Sequence, residues 1–193
     1  MSNPHGRAAR DVPASQRVLV TGGAGFIGTV LCGHLAAAGH RVVAVDRLDG
    51  PRQLANAARL DRHDRVEVLG ADLLEVDVHS LLDGIDVVVH LAGTPGVQTS
   101  WGAGFSDHLG GNVGVTQRLL DAALASGVRR LVVASSSSVY GDAGEVVAPI
   151  SPYGVTKAAV ELLVGAYASR GVPAVALRYF TVYGRGQRPD MAI

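Results

Sequence analysis

RVLVTGGAGFIG, from Arg17 to Gly28, is the stretch that decides how this chain reads. RVLVT is apolar enough for a buried strand. TGGAGFIG then breaks it with glycines and opens an apolar segment of helical length, 26 to 38. Two spacings coexist: Gly23, Gly25 and Gly28 fit GxGxxG, while Gly22, Gly25 and Gly28 fit GxxGxxG. Glycines between a strand and a helix permit a tight turn, let a pyrophosphate approach without a Cβ in the way, and bring the helix close to the sheet. The amides at the helix N-terminus then face the phosphates of a dinucleotide.

Working outward, further apolar runs recur: RVVAVD (41 to 46), RVEVLG (65 to 70), DVVVH (86 to 90), RLVVAS (130 to 135) and AVALRYF (174 to 180). Helix candidates lie between them, near 26 to 38, 51 to 60, 75 to 82, 106 to 126 and 152 to 170. Strands apolar almost throughout suit a sheet covered on both faces. The alternation predicts an α/β fold: a doubly wound parallel Rossmann sheet of about six strands in the order 3-2-1-4-5-6. Gly39 and Gly127 read as helix stops, and Ser151 with Pro152 as an N-cap and first-turn pair. The glycine-rich stretch from Gly93 to Gly114 is the longest expected irregular region.

Composition closes off several classes. The 17 Lys and Arg balance 17 Asp and Glu, so no basic face draws a nucleic acid. The lone cysteine, Cys32, cannot form an intrachain disulfide, and no Cys/His cluster has zinc spacing; no metal is expected, and a reducing, cytoplasmic setting fits. Mean hydropathy is +0.25. Every apolar stretch is nonetheless interrupted before the ~18 residues of a membrane span. Residues 1 to 16 read as a disordered tail, and 17 to 193 as one dinucleotide-binding domain. Cys32 and His34 read as residues of ordinary packing or exposure on the first helix, Trp101 as either the edge of a substrate pocket or a packing residue, and His90 as a positioning residue at most.

Asp46 ends the second strand near the ~20-residue offset at which a carboxylate reaches the ribose hydroxyls, favouring NAD over NADP; Arg47 beside it works slightly the other way. Asp72 and Leu73 follow the third strand, where the adenine amino group would lie. Tyr153 and Lys157 are four apart on a helix beginning at Pro152, so they share a face. An ammonium near the phenol, with the positive charge of an oxidised nicotinamide, would lower the tyrosine pKa and make Tyr153 a general base. Ser136 ends the fifth strand at the same carboxyl edge.

Taken together, TGGAGFIG, Asp46, GADL (70 to 73), HLAG (90 to 93), Asn112 in GNVGVTQ, SSSSVYG (135 to 141), SPYGVTK (151 to 157) and LRYFTVYG (177 to 184) resemble the extended short-chain dehydrogenase/reductase family. The likeness is narrowest to its nucleotide-sugar epimerases and dehydratases. It implies bound NAD and catalytic roles for Tyr153, Lys157 and Ser136. It also implies cofactor contacts from Phe26 and Ile27 beside the glycines, from Leu91, Ala92, Gly93 and Thr94, and from Asn112. Dehydratases of this kind carry Asp-Glu, and the related decarboxylases a Glu, where this chain has Ser137 and Ser138. Neither serine can do the extra proton transfer, which favours epimerisation at one carbon.

Ser137, Ser138, Thr181 and Arg188 resemble the set in UDP-glucuronate 4-epimerases, and PGVQTSW (95 to 101) does too, although Gln98 stands where an Arg is common. Hydroxyl donors plus a guanidinium suit a sugar carboxylate. UDP-glucose or UDP-N-acetylhexosamine 4-epimerisation is the alternative within the class. The resembling enzymes continue for more than a hundred residues into a substrate domain, so a fragment that binds NAD without turnover is the other expectation. By the same resemblance, the helices at 106 to 126 and 152 to 170 would form a homodimer interface.

Overall fold

The structure, a computed structural model, describes residues 15 to 142 and 144 to 187. Six strands, β1 (Arg17–Thr21), β2 (Arg41–Asp46), β3 (Val66–Gly70), β4 (Val87–His90), β5 (Arg130–Ser136) and β6 (Ala174–Tyr179), form one parallel sheet in the order β3-β2-β1-β4-β5-β6. The expected topology is therefore the observed one. Strand ends align, with Thr21 paired to both Val45 and His90, and Ser136 to Tyr179. Thr21, Asp46, His90 and Ser136 consequently end their strands along one carboxyl edge.

The helices are α1 (Phe26–Ala37), α2 (Pro51–Leu60), α3 (Val78–Leu81), α4 (Gly104–His108), α5 (Val115–Ala125) and α6 (Pro152–Ala168). The side-chain period of 2 sorts each strand between two cores. Leu19, Val43, Val88, Leu131 and Val133 join Leu119, Leu120, Val160 and Val164 of α5 and α6. Val18, Val20, Val42 and Ala44 join Cys32, Ala36 and Leu60 of α1 and α2. Each fully buried Val or Leu contributes roughly 1.5–3 kcal/mol of apolar transfer, which makes the strands apolar on both sides. The second face is incomplete at β6, where Val175 and Leu177 stay exposed. Among the described residues no helix covers them, a departure from the fully sandwiched sheet.

Local differences have local causes. Ser15 and Gln16, expected in the tail, are seated on the α1 to β2 turn, where Ser15 Oγ donates to the Gly39 carbonyl at 2.8 Å. The helix expected at 75 to 82 shrinks to α3, because Asp77 caps it by accepting from the amides of His79 and Ser80. Asp72 holds the preceding residues in a turn. Gly39 takes φ +94° and ends α1 as expected. Gly127 does not play that part: Ser126 turns extended at φ −98° and ψ 168°, and its hydroxyl closes the helix end on Ala123 and Val128. The Ser151 cap is present, accepting from the Gly154 amide at 3.0 Å.

The expected helix 106 to 126 is three segments in one rod. It opens with α4, widens into a π-helical turn over Leu109–Gly114, and tightens again into α5. The irregular stretch is accordingly shorter than expected and ends before Gly104. Glycines at 110, 111 and 114 make the wide turn possible, and a Cβ on Gly111 would stand 2.4 Å from Thr94 Oγ1.

Candidate active site

A cavity of about 650 Å³ opens along the carboxyl edge of the sheet. Its floor is the glycine turn. Gly22, at φ +66°, lies so close to the loop after β4 that a Cβ would meet Ala92 N at 2.8 Å. At Gly28 a Cβ would stand 2.1 Å from the Gly22 carbonyl oxygen, so only glycine lets α1 begin there. Gly25, also in the cavity wall, has nothing near its Cβ position except Gly22. Gly23 instead packs against Ala44 of β2. Of the two spacings in the sequence, Gly22, Gly25 and Gly28 is thus the one that faces the cavity.

Gly25 is the N-cap of α1 and supplies no side-chain hydrogen bond, leaving the first-turn amides beside Phe26 and Ile27 available at the cavity wall. A pyrophosphate fits that cradle, because donors face a space that no Cβ fills. Asp46 closes the adjacent corner. Its carboxylate accepts from the amides of Ala24 at 3.1 Å and Leu48 at 3.4 Å, which fixes it beside the glycine turn. Arg47 also lines the cavity, and its guanidinium pairs with Asp49 at 3.0 Å on the exposed side. Asp72 and Leu73 form the far wall; Asp72 Oδ1 accepts from the Leu74 amide at 2.8 Å.

Leu91, Ala92, Gly93 and Thr94 line the opposite side. A buried chain of polar groups positions this loop. His90 Nδ1 and Thr21 Oγ1 are 2.7 Å apart, His90 Nε2 and Thr116 Oγ1 3.1 Å, and the Ala92 amide donates to Thr21 Oγ1 at 3.2 Å. Thr116 spends its own proton on the Asn112 carbonyl at 2.6 Å, so it accepts from Nε2–H. Nδ1 then accepts from the Thr21 hydroxyl, and the imidazole is neutral. Burial, with the Lys157 ammonium adding to it, pushes His90 down to about 3. His90 is thereby a positioning residue for the loop.

Asn112 lies behind the wall rather than in it. Its side chain is buried and engaged on three sides, accepting from the Thr94 amide at 2.9 Å and donating to the Thr94 carbonyl and to Thr156 Oγ1, each at 3.1 Å. The direct cofactor contact expected of Asn112 is replaced by a tie between the Leu91–Thr94 loop and α6. Thr156 completes that tie by donating to the Tyr153 carbonyl at 2.8 Å.

Tyr153, Lys157 and Ser136 meet at the deep end of the cavity. Lys157 is buried and donates from Nζ to the Ala134 carbonyl at 3.0 Å. Burial pushes its ammonium down to about 8. Burial also raises the Tyr153 phenol above its ordinary value, with the Ser136 hydroxyl pulling the other way. The expected lowering of the tyrosine pKa belongs to the site with an oxidised nicotinamide in it; in the chain by itself burial is the larger influence and the phenol is raised. A cationic ring bound beside the phenol would have to supply that stabilisation. Ser136 Oγ accepts from the Ser138 amide at 3.1 Å and donates to Ser138 Oγ at 3.2 Å, capping a 3₁₀ turn over Ser137–Val139.

Ser137, Ser138 and Thr181 line the same cavity, while Arg188 lies outside the described residues. Arg52, Gln53, Tyr179 and Phe180 line it too and went unassigned in the sequence. The first two open α2 just after β2, and a helix start beyond a strand's carboxyl end faces this edge. Tyr179 and Phe180 end β6 for the same reason. Among the described residues no helix is long and apolar enough to cross a membrane, and no cluster of His, Cys, Asp and Glu could hold a metal ion.

Sheet order and the glycine cradle define a Rossmann-type dinucleotide-binding domain, with Tyr153 and Lys157 in the cavity at its edge. The chain belongs to the NAD dependent epimerase/dehydratase family, whose model matches residues 18–193. It is 45% identical over 188 residues to the uncharacterized UDP-glucose epimerase YtcB of Bacillus subtilis, covering 91% of this chain and 60% of that protein. The crystal structure of UDP-glucuronic acid 4-epimerase from Bacillus cereus, in complex with UDP-glucuronic acid and NAD, matches with a TM-score of 0.86 at 42% identity. That match covers 91% of this chain and 60% of the other. MoeE5 in complex with UDP-glucuronic acid and NAD matches with a TM-score of 0.80 at 46% identity, covering 91% and 58%. The chain thus spans about 60% of the length of these relatives.

Proposed function

We propose that this chain carries the NAD site and the catalytic groups of a nucleotide-sugar 4-epimerase whose substrate is UDP-glucuronate. One observation carries the reading: Ser136, Tyr153 and Lys157 share a single cavity with the glycine cradle, Asp46, Ser137, Ser138 and Thr181. The amides beginning α1 hold the pyrophosphate. Asp46, anchored by two amides, takes the adenosine ribose hydroxyls and repels a 2′-phosphate, so NAD is preferred to NADP. Asp72 and Leu73 border the adenine, and the Leu91–Thr94 loop borders the nicotinamide half.

NAD, when bound, would supply reversible hydride acceptance at the sugar C4. Tyr153 accepts the C4 hydroxyl proton and gives it back, Ser136 holds that oxygen, and Lys157 supplies positive charge near the phenolate. Ser137, Ser138, Thr181 and Arg188 hold the sugar carboxylate. The 4-keto sugar is a β-keto acid, and donors fixed on its carboxylate oppose loss of CO₂. The family placement and the UDP-glucuronic acid 4-epimerase relatives support this assignment. A homodimer through 106 to 126 and 152 to 170 and a cytoplasmic location belong to the same reading. Leu109 and Leu162, exposed on those helices, suit a covered face.

The test is to incubate the chain with NAD and UDP-glucuronate and follow the sugar by proton NMR. UDP-galacturonate is the expected product. Release of CO₂ with a UDP-pentose, or turnover of UDP-glucose with glucuronate ignored, overturns the substrate assignment. NAD binding with no turnover of any of these sugars overturns catalysis by this chain.

A further inference from the structure

Tyr153, Lys157 and Glu161 are spaced four apart along α6, so the third carboxylate lies one turn beyond the catalytic pair on the same stripe. Glu161 is not in the cavity and would pass for an ordinary helix-surface acid. Its surroundings say otherwise. The Ser135 hydroxyl donates to Glu161 Oε1 at 2.5 Å, and the Arg178 guanidinium grips both oxygens, Nε to Oε1 at 2.9 Å and Nη2 to Oε2 at 2.8 Å. The carboxylate is held below its ordinary range, first by Arg178 and then by Ser135 against the cost of burial. Arg178 also lies over the Tyr140 ring, 4.6 Å from its centroid.

Three elements meet at this clamp, and each carries part of the site. Ser135 precedes Ser136 on β5; Arg178 precedes Tyr179 on β6; Glu161 follows Lys157 on α6. Ser135 and Arg178 are register partners across β5 and β6. A forked guanidinium–carboxylate pair fixes direction as well as distance, which a lysine in place of the arginine cannot do. Without the clamp, α6 rests on the end of β5 through apolar packing and through the Lys157 Nζ to Ala134 bond alone. Apolar packing resists separation and tolerates small slides.

We propose that Glu161 and Arg178, with Ser135, are positioning residues that set the axial register of α6 against β5, and through it the Tyr153, Lys157 and Ser136 geometry. The inference rests on the catalytic reading of those three residues. Its test needs neither sugar nor cofactor, so the two can fail separately. In Glu161→Gln the fork loses its charge, and in Arg178→Lys it loses its geometry while the charge stays. The phenol of Tyr153 and the ammonium of Lys157 are titrated by NMR of labelled side chains in each variant. A shift of at least about 0.5 pH unit, roughly threefold in the ionisation constant, is expected at one or both groups.

Arg178→Lys keeps the proposal testable if Glu161→Gln fails to fold. The doubly exchanged Glu161→Arg, Arg178→Glu chain should recover part of the lost titration behaviour. Titration curves within about 0.5 unit of the parent in every folded variant, with only a lowered melting temperature, would reduce the clamp to a structural brace and overturn the proposal.

Discussion

The two ends of the cavity are built from different materials. At the glycine turn the working surface is backbone: amides of α1 and the absence of Cβ atoms at Gly22, Gly25 and Gly28. At the Tyr153 end it is side chains, with Lys157 tied to the Ala134 carbonyl, Ser136 to Ser138, and Asn112 and Thr156 behind them. Backbone surfaces fail by steric collision and side-chain surfaces fail by chemistry or misplacement, so the two ends should respond to substitution in different currencies.

On the proposed reading Tyr153 is the acid-base group, and replacing it by Phe removes that group while leaving the cradle intact. The turnover rate should fall by about 10²–10⁴-fold, with the dissociation constant for NAD changed only a few-fold, as followed by steady-state kinetics and calorimetric titration. A comparable loss of NAD affinity would erase the distinction between the ends. At the other end, Gly28→Ala places a Cβ against a backbone oxygen that cannot swing aside. Affinity for NAD should drop about 100-fold or more, roughly 3 kcal/mol, by the same calorimetry. Unchanged binding would mean that the turn yields.

Between the ends sits His90, neutral in the folded chain at about 3 against an ordinary 6.5. The unfolded chain binds a proton that the folded one does not, so stability falls as pH drops below about 6.5 and the loss levels off near 3. At pH 5 it amounts to about 2 kcal/mol, read from denaturant midpoints, and His90→Gln should flatten that limb. His108, also lowered chiefly by burial, adds in the same direction. The smallest effect is the control for Gly28: Gly33 lies in α1 with nothing within 4 Å of its Cβ position. Gly33→Ala should raise stability by about 0.5–1 kcal/mol without touching NAD affinity. A loss there would show that glycine content, not the cradle, governs this helix.

The same contrast governs what could be read from the sequence. The glycine turn, Asp46 and the sheet order were legible because backbone constraints and period-2 apolar runs are local, and local patterns survive in one dimension. Tyr153 and Lys157 were legible as sharing one face of α6 because their spacing is helical. Asn112 was seen as a residue and misplaced as a contact, since its three hydrogen bonds reach 18 and 44 positions along the chain. Arg52 and Phe180 were invisible as wall residues because nothing in their neighbours marks which side faces the cavity. The widened turn at Leu109–Gly114 was hidden for another reason: its glycines weaken the helical signal at the place where the helix continues.

That turn has a consequence for how insertions and deletions are tolerated. A π turn amounts to one supernumerary residue in an otherwise regular helix. Excising a single residue from Leu109–Gly114 would let the segment wind as ordinary α-helix while the residues after it keep nearly the same angular position, because the wide turn absorbs the extra residue locally. Leu119 and Leu120 would stay in the core, and the cost would fall on Asn112, whose bonds to Thr94 and Thr156 are made from within the widened turn. The segment is therefore slack in the rod: a letter lost there is absorbed where it falls, whereas a letter lost within α5 would turn that helix's apolar face by about 100°.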